Sequence, residues 1–132
     1  MIVPKQTSPV RNVFDTFDAI TEHWSPRAVA EANGQLVKVA RLKGAFVWHH
    51  HAMEDEVFLV LRGELTIRYR DRPDVVLGPG DIHTVPRGVE HCPECDDEVM
   101  CLLFEPGQTA HTGNVESDIT KSVEAQRAHL QT

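Results

Sequence analysis

Residues 63–85, GELTIRYRDRPDVVLGPGDIHTV, hold three short apolar runs divided by turn residues. In the first run Leu65, Ile67 and Tyr69 alternate with Thr66, Arg68 and Arg70. A period of two sends the two sets to opposite faces of an extended chain, one buried and one wet. Asp71-Arg72-Pro73-Asp74 and Gly78-Pro79-Gly80-Asp81 interrupt the pattern, since proline lacks an amide donor and glycine supplies turn conformations. Residues 75–77 and 82–85 then read as the next two strands.

The same rhythm extends both ways. Upstream, residues 56–61 and 46–51 read as strands. Residues 28–32 and 35–42 flank Asn33-Gly34, a pair suited to the two positive-φ positions of a tight hairpin. Downstream, Pro86-Arg87-Gly88 is a further turn and residues 99–104 a further strand. Short strands between frequent turns predict an all-β antiparallel sandwich or barrel, with its core over residues 28–106. Val13, Phe14, Phe17, Ile20 and Trp24 recur at three- and four-residue steps behind Asn12, a good N-cap, and Ser25-Pro26 stops the pattern. Residues 12–24 are therefore read as an amphipathic helix. In the extension 107–132, Ile119, Val123 and Leu130 are read as one face of a terminal helix.

Composition bounds the function. A chain of 132 residues fits one domain, and roughly 68% of its unfolded surface can be buried. Hydrophobic residues at 41% and charged residues at 25% exclude wholesale disorder. No apolar run reaches the ~18 residues of a membrane span, and residues 1–9 lack the apolar stretch of a signal peptide. The net charge is −7 and the 13 Lys and Arg are scattered, which argues against nucleic acid. Three cysteines, an odd count, suit a reducing cytoplasm better than a disulfide framework.

Eight residues are histidine, and His49, His50, His51, His83 and His91 fall in the central third of the chain. His49 and His51, two apart on a predicted strand, share a face, while His50 faces away. Glu56 opens the next strand, where a carboxylate can turn back toward the pair, and His91 follows the turn at 86–88. Three imidazoles and a carboxylate converging in a barrel mouth suit a first-row transition metal. A strand histidine alone is as readily a hydrogen-bonded polar residue, and a histidine run as readily a solvated loop.

Two spacings weigh the choice. Gly44, His49, His51, Glu56 and Gly63 stand as G-x4-H-x-H-x4-E-x6-G, and Gly80, Pro86, Gly88 and His91 as G-x5-P-x-G-x2-H. Together, over about residues 36–106, these resemble the two motifs of the cupin superfamily, small jelly-roll (double-stranded β-helix) barrels. The resemblance implies that His49, His51, Glu56 and His91 hold one divalent transition metal ion; Fe, Mn, Ni, Co and Zn all suit this donor set. The layout is similar to small single-domain cupins described as mannose-6-phosphate-isomerase-like, a name reflecting fold rather than activity. The chain departs from the pattern twice. The first Gly-to-His gap is four residues where five is usual, and Cys95 stands where the second motif usually has Asn.

Four protein ligands on an ion that takes about six donors leave about two positions for water or substrate. The expected function is that of a small metalloenzyme, performing oxygenation or a Lewis-acid isomerisation on a small polar molecule. The alternative is a non-catalytic binding module for a sugar or small acid. Beyond the ligands, His83, Tyr69, Glu54 and Asp55 are the candidate acid–base groups, a scarcity that favours chemistry carried mostly by the metal. Trp48 and Tyr69 are read as core or as pocket wall, and Arg87 as solvated or as a greeting for an anionic substrate. Cys92-Pro93-Glu94-Cys95 lacks the strand-turn-helix context of a redox motif, and Cys101 is read as a small buried hydrophobe. Residues 57–61 are apolar on both faces, so Phe58 and Val60 point inward while Val57, Leu59 and Leu61 need cover. A homodimer partner is the expected cover, and the helix around Phe14 and Phe17 the intrachain alternative.

Overall fold

The computed structural model describes residues 7–113 and 122–131. Its elements are α1 (Val13–Ala19), β1 (Arg27–Ala32), β2 (Gln35–Ala45), β3 (Glu56–Arg62), β4 (Leu65–Tyr69), β5 (Val75–Leu77), β6 (Ile82–Val85), β7 (His91–Pro106) and α2 (Val123–Arg127), with a 3₁₀ turn at Ala128–Gln131. All strand pairs are antiparallel, in the order β1-β2-β7-β3-β6, and β4 bridges β7 to β5. The fold is a jelly-roll β-barrel. Among the described residues no helix is long and apolar enough to cross a membrane.

The β1–β2 hairpin turns on Asn33 (φ 52°) and Gly34 (φ 76°), the double positive φ expected of that pair. Strand β4 alternates as its sequence does, with Leu65, Ile67 and Tyr69 buried and Arg68 exposed. Phe58 and Val60 join them in the barrel core with Leu42, Val99 and Leu103. Gly63 turns β3 into β4 at φ +87°, and a Cβ there would stand 2.7 Å from the Glu98 carbonyl, so only glycine lets β7 pass this closely.

Three expectations about elements change. Strand β7 is 16 residues long and starts at His91, where the sequence suggested residues 99–104. Cys92–Cys95 is thus strand, with Arg68 opposite Cys92 and Ile67 opposite Pro93. The Pro93 carbonyl accepts from the Phe46 amide at 2.9 Å, which ties this stretch of β7 to the segment after β2. Residues 46–51 are not a strand. They run beside the start of β7 with one bridge, His49 to His91.

The first helix stops at Ala19 instead of running to residue 24. Asn12 caps it as expected, accepting from the amides of Phe14 and Asp15. The Phe17 carbonyl then receives both the Ile20 amide and Arg41 Nε, and Ile20 turns extended. Ile20 packs with Phe17, Val29 and Val39 outside the sheet, whereas Trp24 enters the barrel core. The helical spacing of these residues belongs to two different cores.

Cover for the apolar strand β3 is partly intrachain. Leu61, Met100 and Leu102 pack against the Phe17 and Ile20 cluster. Val57 and Leu59 remain half-buried beside exposed Phe104 and Ile82. In the C-terminal helix Gln126 is the buried residue, with Val123 and Leu130 half-buried, and Ile119 lies outside the described residues.

Candidate metal centre

His49 and His51 are placed by their neighbours' backbones. The His49 amide donates to the His91 carbonyl at 3.0 Å and the His91 amide returns a bond to His49 at 2.9 Å. The Gly88 amide holds the His51 carbonyl at 2.7 Å. Glu56 is the first residue of β3, opposite Val85 on β6. These supports bring one donor atom each from His49, His51, Glu56 and His91 within 4.8 Å of one another, and all four residues are buried.

The donor atoms are oriented. His49 Nδ1 lies 2.8 Å from the Val47 carbonyl and His91 Nδ1 lies 2.9 Å from that of Val89. An Nδ1–H donating outward leaves the Nε2 lone pair facing inward, as metal-ligating histidines require. His51 Nε2 and His91 Nε2 stand 3.5 and 3.7 Å from Glu56 Oε1, ion-pair contacts longer than good hydrogen bonds. Both ring nitrogens of His51 and Nε2 of His91 are buried with no hydrogen-bond partner. Buried polar atoms seldom stay unpaired. Three imidazoles around one carboxylate fit a divalent transition metal ion.

Electrostatics favour the same occupant. Burial, then the neighbouring His91, pushes His49 down to about 3, so its ring is neutral at physiological pH. Burial works to raise Glu56, but polar contacts from Glu105, His51 and His91 outweigh it and hold Glu56 well below the usual carboxylate range. A neutral His49 beside an ionised Glu56 has the form that binds a cation.

Behind Glu56 lies a feature the sequence reading missed. Val57 pairs with Phe104, so the next step of the same register sets Glu56 beside Glu105. Glu105 Oε1 is 2.6 Å from Lys38 Nζ, both side chains are wholly buried, and Lys38 also donates to the Thr109 carbonyl at 3.2 Å. Burial and then the charge of Glu56 push Glu105 well above the usual range, and Lys38 offsets this only in part. Glu105 thus holds its proton more tightly than a free carboxyl, with Lys38 Nζ on its Oε1. The signal was present in strand alternation. Leu36-x-Lys38-x-Ala40-x-Leu42 and Val99-x-Cys101-x-Leu103-x-Glu105 each place one charge on an otherwise apolar inner face.

A half-open cavity adjoins the cluster, walled by Trp24, Phe46, Leu42, Phe58 and Leu103. The polar side chains lining it, among the described residues, are His49, Glu56 and His111. His111 was not anticipated. It arrives on the segment after β7, which presses so closely on residue 50 that a Cβ on Gly113 would overlap the His50 carbonyl.

The other candidates lie outside the cluster. His50 turns away toward Glu90. His83 bonds the Tyr69 hydroxyl at 2.7 Å, and burial pushes Tyr69 up to about 12. Trp48 lies outside, under the Arg70 guanidinium at 4.0 Å, which removes it as a pocket wall. Arg87 is exposed, and Asp55 is occupied by the Arg87 amide. Glu54 accepts from the Met53 amide. Cys92 and Cys95, three apart on a strand, face opposite sides, and burial raises both thiols.

A jelly-roll barrel with a histidine–glutamate cluster against an interior cavity defines a cupin-type protein. Residues 36–107 match the cupin domain family, and the chain belongs to it. It is 33% identical over 84 residues to the uncharacterized protein YdbB of Bacillus subtilis strain 168, covering 64% of this chain and 74% of that one. A cupin-2 domain protein from Shewanella frigidimarina NCIMB 400 superposes with a TM-score of 0.71 at 42% identity, over 74% of this chain and 94% of that chain. Protein NMB1881 of Neisseria meningitidis shares the fold at 24% identity, with a TM-score of 0.69 over 74% and 99% of the two chains.

Two predictions follow from these charges. An unfolded His49 takes a proton near its ordinary value of 6.5, whereas the folded, metal-free protein refuses it until about pH 3. Stability is therefore complete above that ordinary value and falls as pH drops through the window, by on the order of 4 kcal/mol. Denaturant midpoints of metal-free protein against pH should show this slope, and His49→Gln should flatten it. Glu105→Gln keeps a neutral donor to Glu56 and should cost about 1 kcal/mol. Glu105→Leu strands Lys38 and should cost about 3–5 kcal/mol by chemical denaturation.

Proposed function

We propose that His49, His51, Glu56 and His91 bind one divalent transition metal ion and that the protein is a small metal-dependent enzyme of the oxygenase type. The observation that carries this reading is the set of buried, partnerless imidazole nitrogens facing an ionised Glu56 at the wall of an apolar cavity. When bound, the ion supplies Lewis acidity and, in the case of iron, access to dioxygen chemistry. The chain supplies the rest. The Val47 and Val89 carbonyls fix the His49 and His91 rings, Glu56 contributes the negative charge, and the cavity walls exclude bulk water. Outside the ligand set only His111 lines the cavity as a proton-carrying side chain among the described residues. That is thin provision for the paired acid and base of an isomerisation, so oxygenation is the better-supported reaction.

Metal content per subunit tests the centre. His49→Ala, His51→Ala and His91→Ala should each lose most of the metal, Glu56→Gln a part of it, and His50→Ala none. Full metal in all five variants would place the ion elsewhere. Dioxygen uptake by the iron-loaded protein in the presence of phenolic compounds tests the reaction. Tight ligand binding without uptake would instead favour the binding-module reading.

We propose further that the protein pairs with a second copy through the outer face of β3, β6 and β7. Support comes from Ile82, 67% exposed, and Phe104, 39% exposed, which flank half-buried Val57 and Leu59. Leu59→Lys should convert a dimer to a monomer by light scattering with metal content unchanged. A wild-type monomer would leave the cover to α1 alone.

A further inference from the structure

We infer that the cavity beside His49 and Glu56 is a pocket for dioxygen, an apolar space set against the metal centre and too small for an organic ligand. The inference rests on the oxygenase reading above and deepens it by giving one reactant a place.

Size comes first. The water-accessible volume of the cavity is about 30 Å³. That admits a molecule of roughly two or three heavy atoms and excludes a ring. Every residue lining it is buried except Phe46, which is half-buried and so stands at the entrance.

The lining comes second. Trp24 and Phe46 stack with ring centroids 4.6 Å apart and planes within 18°, and Leu42, Phe58 and Leu103 add hydrocarbon. The Trp24 indole N–H is spent on the Lys43 carbonyl at 2.9 Å, so this ring offers no donor to the space. Three polar side chains reach the lining, His49, Glu56 and His111. His49 Nδ1 is engaged by the Val47 carbonyl at 2.8 Å, and Glu56 Oε1 faces His51 and His91 at 3.5 and 3.7 Å. A buried water needs about two to four polar partners, more than this lining turns toward it. A neutral, apolar diatomic gives up almost no hydration on entering. Its entry depends neither on the charge of the ion nor on that of Glu56.

Position comes third. His49 and Glu56 each give a donor atom to the cluster and also line the cavity, so an occupant lies against the place of the ion. Protein interiors close over most voids. This one is walled by Trp24 at φ 57°, a left-handed conformation that a bulky residue rarely adopts. The Trp24 amide, bonded to the Arg41 carbonyl at 2.9 Å, helps hold it there. Backbone strain of this kind collects at working sites.

Crystals of the full chain under xenon pressure test the pocket without turnover, because xenon enters dry apolar cavities. Xenon should occupy the cavity in metal-free and Zn(II)-loaded protein alike. Ala40→Val, which pushes extra methyl bulk in from a buried wall position, should exclude the gas and leave zinc content unchanged. Leu103→Phe serves if the valine variant does not fold. Iron then tests the reactant. Oxidation of bound Fe(II) to Fe(III) by dissolved dioxygen, which takes up the electron, should slow about tenfold or more in Ala40→Val. Oxidation by ferricyanide, too bulky for the cavity, should keep its rate.

An ordered water in the cavity, or no xenon there, would overturn this inference alone. So would aerobic oxidation that ignores both variants, or that slows no more than oxidation by ferricyanide. Failure to retain any metal would overturn the oxygenase reading and this inference with it.

Discussion

The curl of the β2–β7 ribbon is the constraint on which this site depends. The two strands pair from Gln35 opposite Pro106 to Ala45 opposite Glu94, and the contact continues to His49 beside His91. His91 and Glu105 lie at opposite ends of β7, and a flat strand would hold them roughly 45 Å apart. Yet both reach Glu56, His91 from 3.7 Å and Glu105 through its carboxyl. Only a ribbon wrapped around the barrel interior can do this. The irregular register between Leu42 and Gly44, and the stretch of β7 behind Gly63, are where the ribbon changes partners from β3 to β4.

Wrapping the ribbon forces polar groups into a dry interior, and their arrangement follows from that cost. Burial disfavours every charged form, so His49 is neutral and Glu105 holds its proton more tightly than a free carboxyl. Glu56 stays ionised because polar contacts from Glu105, His51 and His91 outweigh its burial. Lys38 stands across Glu105 from Glu56 and is tied to the Thr109 carbonyl, on the segment that carries His111 to the cavity. The cluster of His49, His51, Glu56 and His91, the buried Lys38–Glu105 contact and the closing segment therefore form one connected polar chain through an apolar core.

Much of this was legible in particular residues. Leu65, Ile67 and Tyr69 announced an inward face, Asn33-Gly34 announced a hairpin, and two spaced motifs pointed to the four residues that cluster. Other features were hidden by equally plain causes. Ile20 and Trp24 sit at helical spacing but point into different cores, so periodicity misplaced the end of α1. Pro93 disguised the start of β7, because a residue with no amide donor reads as a strand breaker. His111 follows the last strand, where no local pattern says which way the chain returns.

What the sequence by itself determined is whatever neighbours along the chain decide: strand faces, turn positions and the N-cap at Asn12. What only the tertiary structure decided is what depends on closure of the barrel. That includes the meeting of His91 and Glu105 at Glu56, the burial of Lys38 against a carboxyl, and the Trp24–Phe46 wall that His111 completes. The physical reason is that strand pattern tells a side chain which face it takes, but not which residue stands opposite. That second fact is set by register and curvature, which arise when distant strands pair and the ribbon bends to bury its inner face.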